Sequence, residues 1–164
     1  MEDFPKNSKE KPQNALSRRH ATGTDVEFAR KIHRAAMHDV VAKQFGSWDE
    51  EIQNESFDAS WSPETSEIIN DGDTKIGYCD IAYAPDYIYV RNLYISPEYQ
   101  GKGVGTQILN EVLTKAKEMN IPVGLEVLKE NQARELYKKL GFKDLEEGST
   151  KYFMEFKPDE PEKV

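Results

Sequence analysis

Cysteine is nearly missing from this sequence. Cys79 stands alone in 164 residues, which rules out an internal disulfide and sets a reducing compartment as the expectation. No apolar run approaches the roughly 20 residues that a membrane span needs. The opening stretch MEDFPKNSKEKPQN has no apolar core of the kind a secretory signal carries. A cytoplasmic protein without a membrane partner is therefore expected. Histidine is scarce as well: His20, His33 and His38 show no metal-ligand spacing and read as exposed residues, with no metal site. Clustered basic charge is lacking too. The chain has 22 Lys/Arg against 30 Asp/Glu, a net charge of −8. Residues 1–34 carry +3, residues 35–100 carry −10 and residues 101–164 carry −1. An acidic middle argues against nucleic acid, because counterion release from phosphates requires grouped Lys/Arg. The same field favours a cationic ligand, and it also serves solubility.

What is present suits one globular domain. Apolar residues make up 37% and charged residues 32%, and the length suffices for an ordinary hydrophobic core. Residues 1–14, polar and interrupted by Pro5 and Pro12, read as a disordered arm. A domain over 15–157 and a flexible tail over 158–164 follow. Ala15–Ala21 reads as a first strand. Thr24 or Asp25 can cap a helix carrying Val26, Phe28, Ala29, Ile32 and Ala36. A second helical stretch is expected around Val40–Phe45, and after Gly46 a short helix opened by Ser47 or Asp49 and running through Phe57. Glu67–Asn70, an Asp-Gly turn and Lys75–Tyr83 form a hairpin signal, and Tyr87–Ile95 is rich in β-formers.

Beyond Ile95 the period changes. Val104, Ile108, Leu109, Val112, Leu113, Ala116 and Met119 fall on one helical stripe, which Asn120 and Pro122 end. Val123, Leu125 and Val127 alternate as a strand. Ala133, Leu136, Tyr137 and Leu140 line a last helix that stops at Gly141. Lys143–Glu147 and Lys151–Phe156 close the chain as strands. The pattern is mixed α/β, with helices on a central sheet.

The informative segment is Leu93-Tyr-Ile-Ser-Pro-Glu-Tyr-Gln-Gly-Lys-Gly-Val-Gly-Thr106, which runs strand, glycine-rich loop, helix. Gly101, Gly103 and Gly105 remove side chains where a helix starts, so backbone N–H groups can approach an anion. The helix N-terminus adds partial positive charge, and together these make a phosphate or pyrophosphate cradle. A P-loop requires Gly-Lys-Ser/Thr, but Lys102 precedes Gly103-Val104. A dinucleotide fingerprint requires a third glycine three residues after the second, and neither Thr106 nor Ile108 supplies it.

The loop resembles that of the GNAT superfamily of N-acetyltransferases, Gln/Arg-x-x-Gly-x-Gly/Ala, which Gln100-Gly-Lys-Gly103-Val-Gly105 matches at each fixed position. Leu93, Ile95 and Pro97 match the strand ending usual before it. A second block, Asn131-Gln-Ala133-Arg-Glu-Leu136-Tyr137-Lys-Lys-Leu-Gly141-Phe142, resembles the family's Asn-x-x-Ala-x-x-x-Tyr-x-x-x-Gly-Phe segment, with one residue fewer between Asn131 and Ala133. The likeness covers residues 64–156 best, and implies the GNAT acyl-CoA N-acyltransferase fold: a mixed, mostly antiparallel central sheet flanked by helices.

The resemblance further implies acetyl-CoA (coenzyme A) as cofactor and direct transfer of its acetyl group to a primary amine. On that footing the pyrophosphate lies on the amides of Gly101, Lys102, Gly103, Val104, Gly105 and Thr106. The pantetheine arm pairs with Leu93, Tyr94 and Ile95 as a pseudo-strand, and an amide near Leu93 polarises the thioester carbonyl. Gln100, Asn131 and Ala133 belong to the same cofactor set. Tyr137 occupies the position of the family's general acid, although it also lies on the apolar stripe of its helix. Glu126 matches the glutamate that serves as base in some protein N-terminal members, and it also fits a salt-bridged strand residue. His38, Asp80 and Glu67 are further base candidates. Trp48, Phe57, Trp61 and Tyr83 can line an acceptor pocket or the core. The acceptor is a small-molecule amine or a peptide N-terminus. A non-catalytic acyl-CoA sensor, transfer of a longer acyl group and a homodimer remain open.

Overall fold

A computed structural model describes residues 15–159. The expected arm over 1–14 lies outside the described residues, as does the tail from 160 onward. The elements run β1 (Leu16–His20), a 3₁₀ turn (Gly23–Asp25), α1 (Val26–Phe45), α2 (Glu50–Ser60), β2 (Ser66–Asp71), β3 (Thr74–Tyr83), β4 (Ile88–Ile95), a 3₁₀ turn (Pro97–Tyr99), α3 (Val104–Met119), β5 (Val123–Leu128), α4 (Ala133–Lys139), β6 (Lys143–Glu147) and β7 (Lys151–Phe156). One sheet holds all seven strands in the order β1-β2-β3-β4-β5-β7-β6. Every neighbour pair is antiparallel except β4 with β5, as the α/β, mostly antiparallel expectation requires.

The start of the chain differs from its sequence reading in two respects. The two helical stretches expected before Gly46 are one helix of 20 residues, because Ala35-Ala36-Met37 contains no breaker. Gly46, at φ 93°, ends it, and its N–H bonds the Ala42 carbonyl at 2.9 Å. Asp25 precedes α1 but does not cap it. Its buried carboxylate accepts instead from the Thr22 amide at 2.9 Å, from Arg19 at 2.9 Å and from Lys75 at 3.1 Å, tying β1, α1 and β3 together. Asp49 does cap α2, accepting from the Ile52 amide at 3.0 Å.

Helices cover the sheet unequally. The stripe Val104, Ile108, Leu109, Val112, Leu113 and Ala116 of α3 is buried. Its first half packs on Ile69, Ile76, Cys79 and Ile95, and its second half on Ile88, Val90, Val123, Leu125, Val127 and Met154. The opposite face is covered by α1 and α2 over β2 and β3, through Ala29, Ile32, Phe57, Ile68 and Tyr78. Gly77 lets β3 and β4 approach: a Cβ there would lie 2.3 Å from the Tyr94 carbonyl oxygen.

Candidate functional site

The only parallel neighbours in the sheet are joined briefly. β4 pairs with β5 over Ile88–Val90 against Val123–Leu125 and no further, although β4 continues to Ile95 and β5 to Leu128. The irregular register between Asp80 and Ile81, which pair with Asn92 and Val90, leaves Arg91 as an extra residue in β4. Such a bulge bends its strand, and β4 leaves β5 at this point. The Ser96 amide bonds the Ile76 carbonyl of β3 at 2.7 Å. By strand alternation the amides of Leu93 and Ile95 point the other way, into the gap toward β5. An unpaired strand edge with outward amides is what an extended ligand needs in order to pair.

The gap leads to the glycine loop. Gly101 and Gly103 have φ values of 74° and 88°, a region that side-chain-bearing residues avoid, and nothing lies within 4 Å of a Cβ built at either. Gly103 is the N-cap of α3, so the first amides of that helix have no intrahelical acceptor. The Gln100 side-chain amide donates to the Ile95 carbonyl at 2.9 Å and anchors the loop to the end of β4. Lys102 turns back to the Glu98 carbonyl and lies 5.9 Å from the Tyr99 ring centre. Gly105, already helical, faces α4: a Cβ there would lie 3.9 Å from the Leu136 side chain. An open cleft of about 740 Å³ borders the loop, running past Lys102, Gly103, Thr106, Gln107 and Asn110 to Leu16. A concave array of free amides at a helix N-terminus, beside open space, fits a pyrophosphate.

Tyr137 stands on α4 and packs on the core shared by β4 and β5. Its ring packs edge-on against Phe142 at 5.9 Å, and its own carbonyl accepts from the Phe142 amide at 3.0 Å. Burial pushes its hydroxyl up to about 12, with the nearby Tyr94 phenol contributing. Burial likewise raises Tyr94 to about 12. Both stay protonated across the working range and can donate. Asn131 is turned toward its own helix: its side-chain oxygen accepts from the Ala133 amide at 2.9 Å. Cys79 is fully buried, with its thiol raised to about 12 by burial, so it is an inert core residue rather than a nucleophile.

Comparison with known proteins decides the family. The sequence profile described as the acetyltransferase (GNAT) family matches residues 34–142. The chain belongs to this family. Among its relatives, thialysine N-epsilon-acetyltransferase of Bos taurus is 40% identical over 62 residues, 37% of this chain and 36% of that protein. The Sus scrofa enzyme of the same name is 27% identical over 148 residues, 82% of this chain and 87% of its own length. The [ribosomal protein bS18]-alanine N-acetyltransferase of Haemophilus influenzae is 35% identical over 72 residues. That match spans 43% of this chain and 49% of the relative, so the Bos taurus and Haemophilus matches each span under two thirds of the relative's own length. Among solved structures, the PaiA N-acetyltransferase of Thermoplasma acidophilum in complex with coenzyme A superposes with TM-score 0.71 at 22% identity, covering 87% of this chain and 99% of that one; it establishes the shared fold. Acetyl-CoA is the cofactor of this acetyltransferase family, and the residues described above fit it.

The remaining candidates scatter in this GNAT domain. Glu126 projects from the face of β5 away from α3 and is exposed. Its carboxylate accepts from the Tyr89 hydroxyl at 2.8 Å and pairs with Lys151 at 3.0 Å, and these partners hold it below its ordinary pKa. Asp80 is buried, held by Arg91 at 2.9 Å and by the Thr65 hydroxyl at 2.8 Å. Glu67 pairs with Arg18 at 3.3 Å. His38 is exposed and meets Asp39 at 3.0 Å. Trp61 stacks on Phe57 at 5.8 Å and meets Tyr78 edge-on at 5.3 Å, while Trp48 lies 6.2 Å from His33. Tyr83 stands apart, 51% exposed. Sequence reasoning missed His33. Read as exposed, it is half-buried, because α2 closes over that flank of α1 and brings Phe57 against it at 5.7 Å. The signal available in the sequence was its spacing, four residues after the buried Ala29 and next to the buried Ile32.

Proposed function

We propose that this enzyme acetylates a primary amine carried by a cationic small molecule, by direct attack on the thioester. The observation that supports the reading is the gap between β4 and β5, onto which the unpaired amides of Leu93 and Ile95 open, with the glycine loop following β4 and Tyr137 packed on the same core. Acetyl-CoA, when bound, supplies an acetyl group already activated as a thioester. The chain's residues do the rest. The amides of residues 101–106, at the start of α3, neutralise the pyrophosphate. The Leu93 amide, turned away from β3, would donate to the thioester carbonyl, a hydrogen bond that strengthens as the oxygen gains charge. Tyr137 would hold the proton for the departing sulfur, and burial, by raising its pKa to about 12, keeps it protonated at the working pH. No residue here forms a covalent link, consistent with the buried, unreactive Cys79.

The acidic stretch 35–100, at −10, favours a cationic acceptor such as the side-chain amine of a lysine-like amino acid, the substrate class named for the Bos taurus and Sus scrofa relatives. A peptide N-terminus is the second reading. It is favoured by Glu126, which matches the base position of N-terminal enzymes and lies beside Tyr89 at the open end of β5. Glu126 then attracts and orients the ammonium by charge, since its lowered pKa makes it a weak proton acceptor. Under either reading the proposed compartment is the cytoplasm, where the single Cys79 stays reduced. Free-thiol release from acetyl-CoA with lysine, thialysine and an alanine-terminated peptide, followed by product mass, tests the proposal. Turnover on the amino acids supports the first reading and turnover on the peptide the second. No turnover on any of them, with acetyl-CoA bound, supports a sensor instead.

A further inference from the structure

His33 sits on α1 on the flank that faces the sheet, and its surroundings are aromatic on three sides. The Tyr94 ring meets it edge-on at 5.2 Å and 89°, Phe57 lies at 5.7 Å and Trp48 at 6.2 Å. Tyr94 directly follows Leu93, whose amide points into the gap, and lies close enough to Tyr137 to influence its ionisation. One path therefore connects His33 of α1, Tyr94 of β4 and Tyr137 of α4. The glycine loop starts α3, which covers the other face of the sheet. His33 thus lies on the face of β4 opposite α3, the face that phosphate held at the start of α3 leaves to an acceptor.

We propose that His33 is the proton acceptor for the incoming amine, directly or through one water. The inference rests on the acetyltransferase reading of the site. In balance, the amine nitrogen forms a bond to the acetyl carbon and the carbon–sulfur bond breaks. One amine proton goes to a ring nitrogen of His33, the Tyr137 hydroxyl proton goes to the sulfur, and exchange with solvent resets both residues.

Three observations support the assignment. Burial lowers the His33 pKa from its ordinary value, so the ring is neutral near pH 7 and free to accept. Several ionic groups on the elements packed around it pair with one another: Arg30 with Asp58 and Glu27, Arg34 with Glu50, and Asp80 of β3 with Arg91 of β4; Lys31, Glu51 and Glu55 are exposed on the same helices. The rival bases are weaker matches to a neutral working pH, because Glu126 is ion-paired and Asp80 is shielded by Arg91 and Thr65.

The test compares His33→Gln, His33→Phe and Glu126→Gln by kcat against pH, using lysine and an alanine-terminated peptide as acceptors. Phenylalanine keeps the ring packing, which separates chemistry from folding. Both His33 variants are expected to bind acetyl-CoA as the wild type does. Their kcat at neutral pH should fall on the order of 100-fold. The break in the wild-type profile below pH 6.5 should vanish in both, while Glu126→Gln keeps it. His33 variants that retain both the break and kcat within about twofold overturn the proposal while leaving the acetyltransferase reading intact. A wild type that acetylates neither acceptor overturns both.

Discussion

The two halves of the sheet are built on different plans. In β1 to β4 both faces are covered, α1 and α2 on one side and the first half of α3 on the other, and the interior is aromatic: Phe57, Trp61, Tyr78 and Tyr94 pack in one cluster. In β5, β7 and β6, helices cover one face only, and the far face presents half-buried Phe153 of β7, which stacks at 6.4 Å on Tyr89 at the start of β4, beside the exposed Glu126. β6 is exposed along its whole length. Three residue pairs join the halves. The proposed site lies at this seam, where, among the described strands, an edge inside the sheet is left unpaired beyond Val90. Where each half completes its own hydrogen bonds, no backbone is left for a ligand.

Perturbing the seam's chemistry should give the largest effects. Tyr137→Phe removes the proposed proton donor but keeps the ring against Phe142, so kcat should fall about 10²–10⁴-fold with acetyl-CoA affinity unchanged; steady-state kinetics beside calorimetry checks both. An unchanged kcat would make Tyr137 a core residue of the C-terminal half. Gly103→Glu places a carboxylate in the cradle at a φ that disfavours any side chain, and it should weaken acetyl-CoA binding on the order of 100-fold, read by calorimetric titration.

Smaller effects follow from loosening one half alone. Gly77→Ala would drive a methyl to 2.3 Å from the Tyr94 carbonyl oxygen, prying β4 from β3 beside the gap. A cost of about 1–3 kcal/mol is expected in urea unfolding, together with a raised KM. Asp25→Asn, remote from the seam, should cost about 1–2 kcal/mol and leave kcat alone. Arg19 holds the Asp25 carboxyl well below the usual carboxylate range. Its stabilisation is therefore complete above the ordinary pKa of about 3.9 and fades as pH falls through lower values. Thermal unfolding between pH 3 and 7 should show the wild type losing part of its margin over the variant at the acid end.

How much was legible follows from how local each signal is. The α3 stripe, the alternation of β5 and the Asp-Gly hairpin depend on neighbours in sequence, and each was found within a residue or two. The glycine loop was legible for the same reason, since positive φ and a free helix start are properties of a short segment. The single long α1 was misjudged because its middle is amphipathic only weakly, and packing on β3 and β4 holds it. Asp25 was read as a cap because capping is the local rule, whereas its partners Arg19 and Lys75 come from two different strands.

The sequence by itself determined the family and the glycine loop that opens α3, because these are written as fixed spacings along one stretch of chain. Only the tertiary structure decided that β4 parts from β5 after Val90, that Glu126 is tied to Tyr89 and Lys151, and that His33 lies against Tyr94. Each of these joins elements distant in sequence. Which ionisable group faces which is set by how helices pack across a sheet, and residue order along a strand or helix does not encode it.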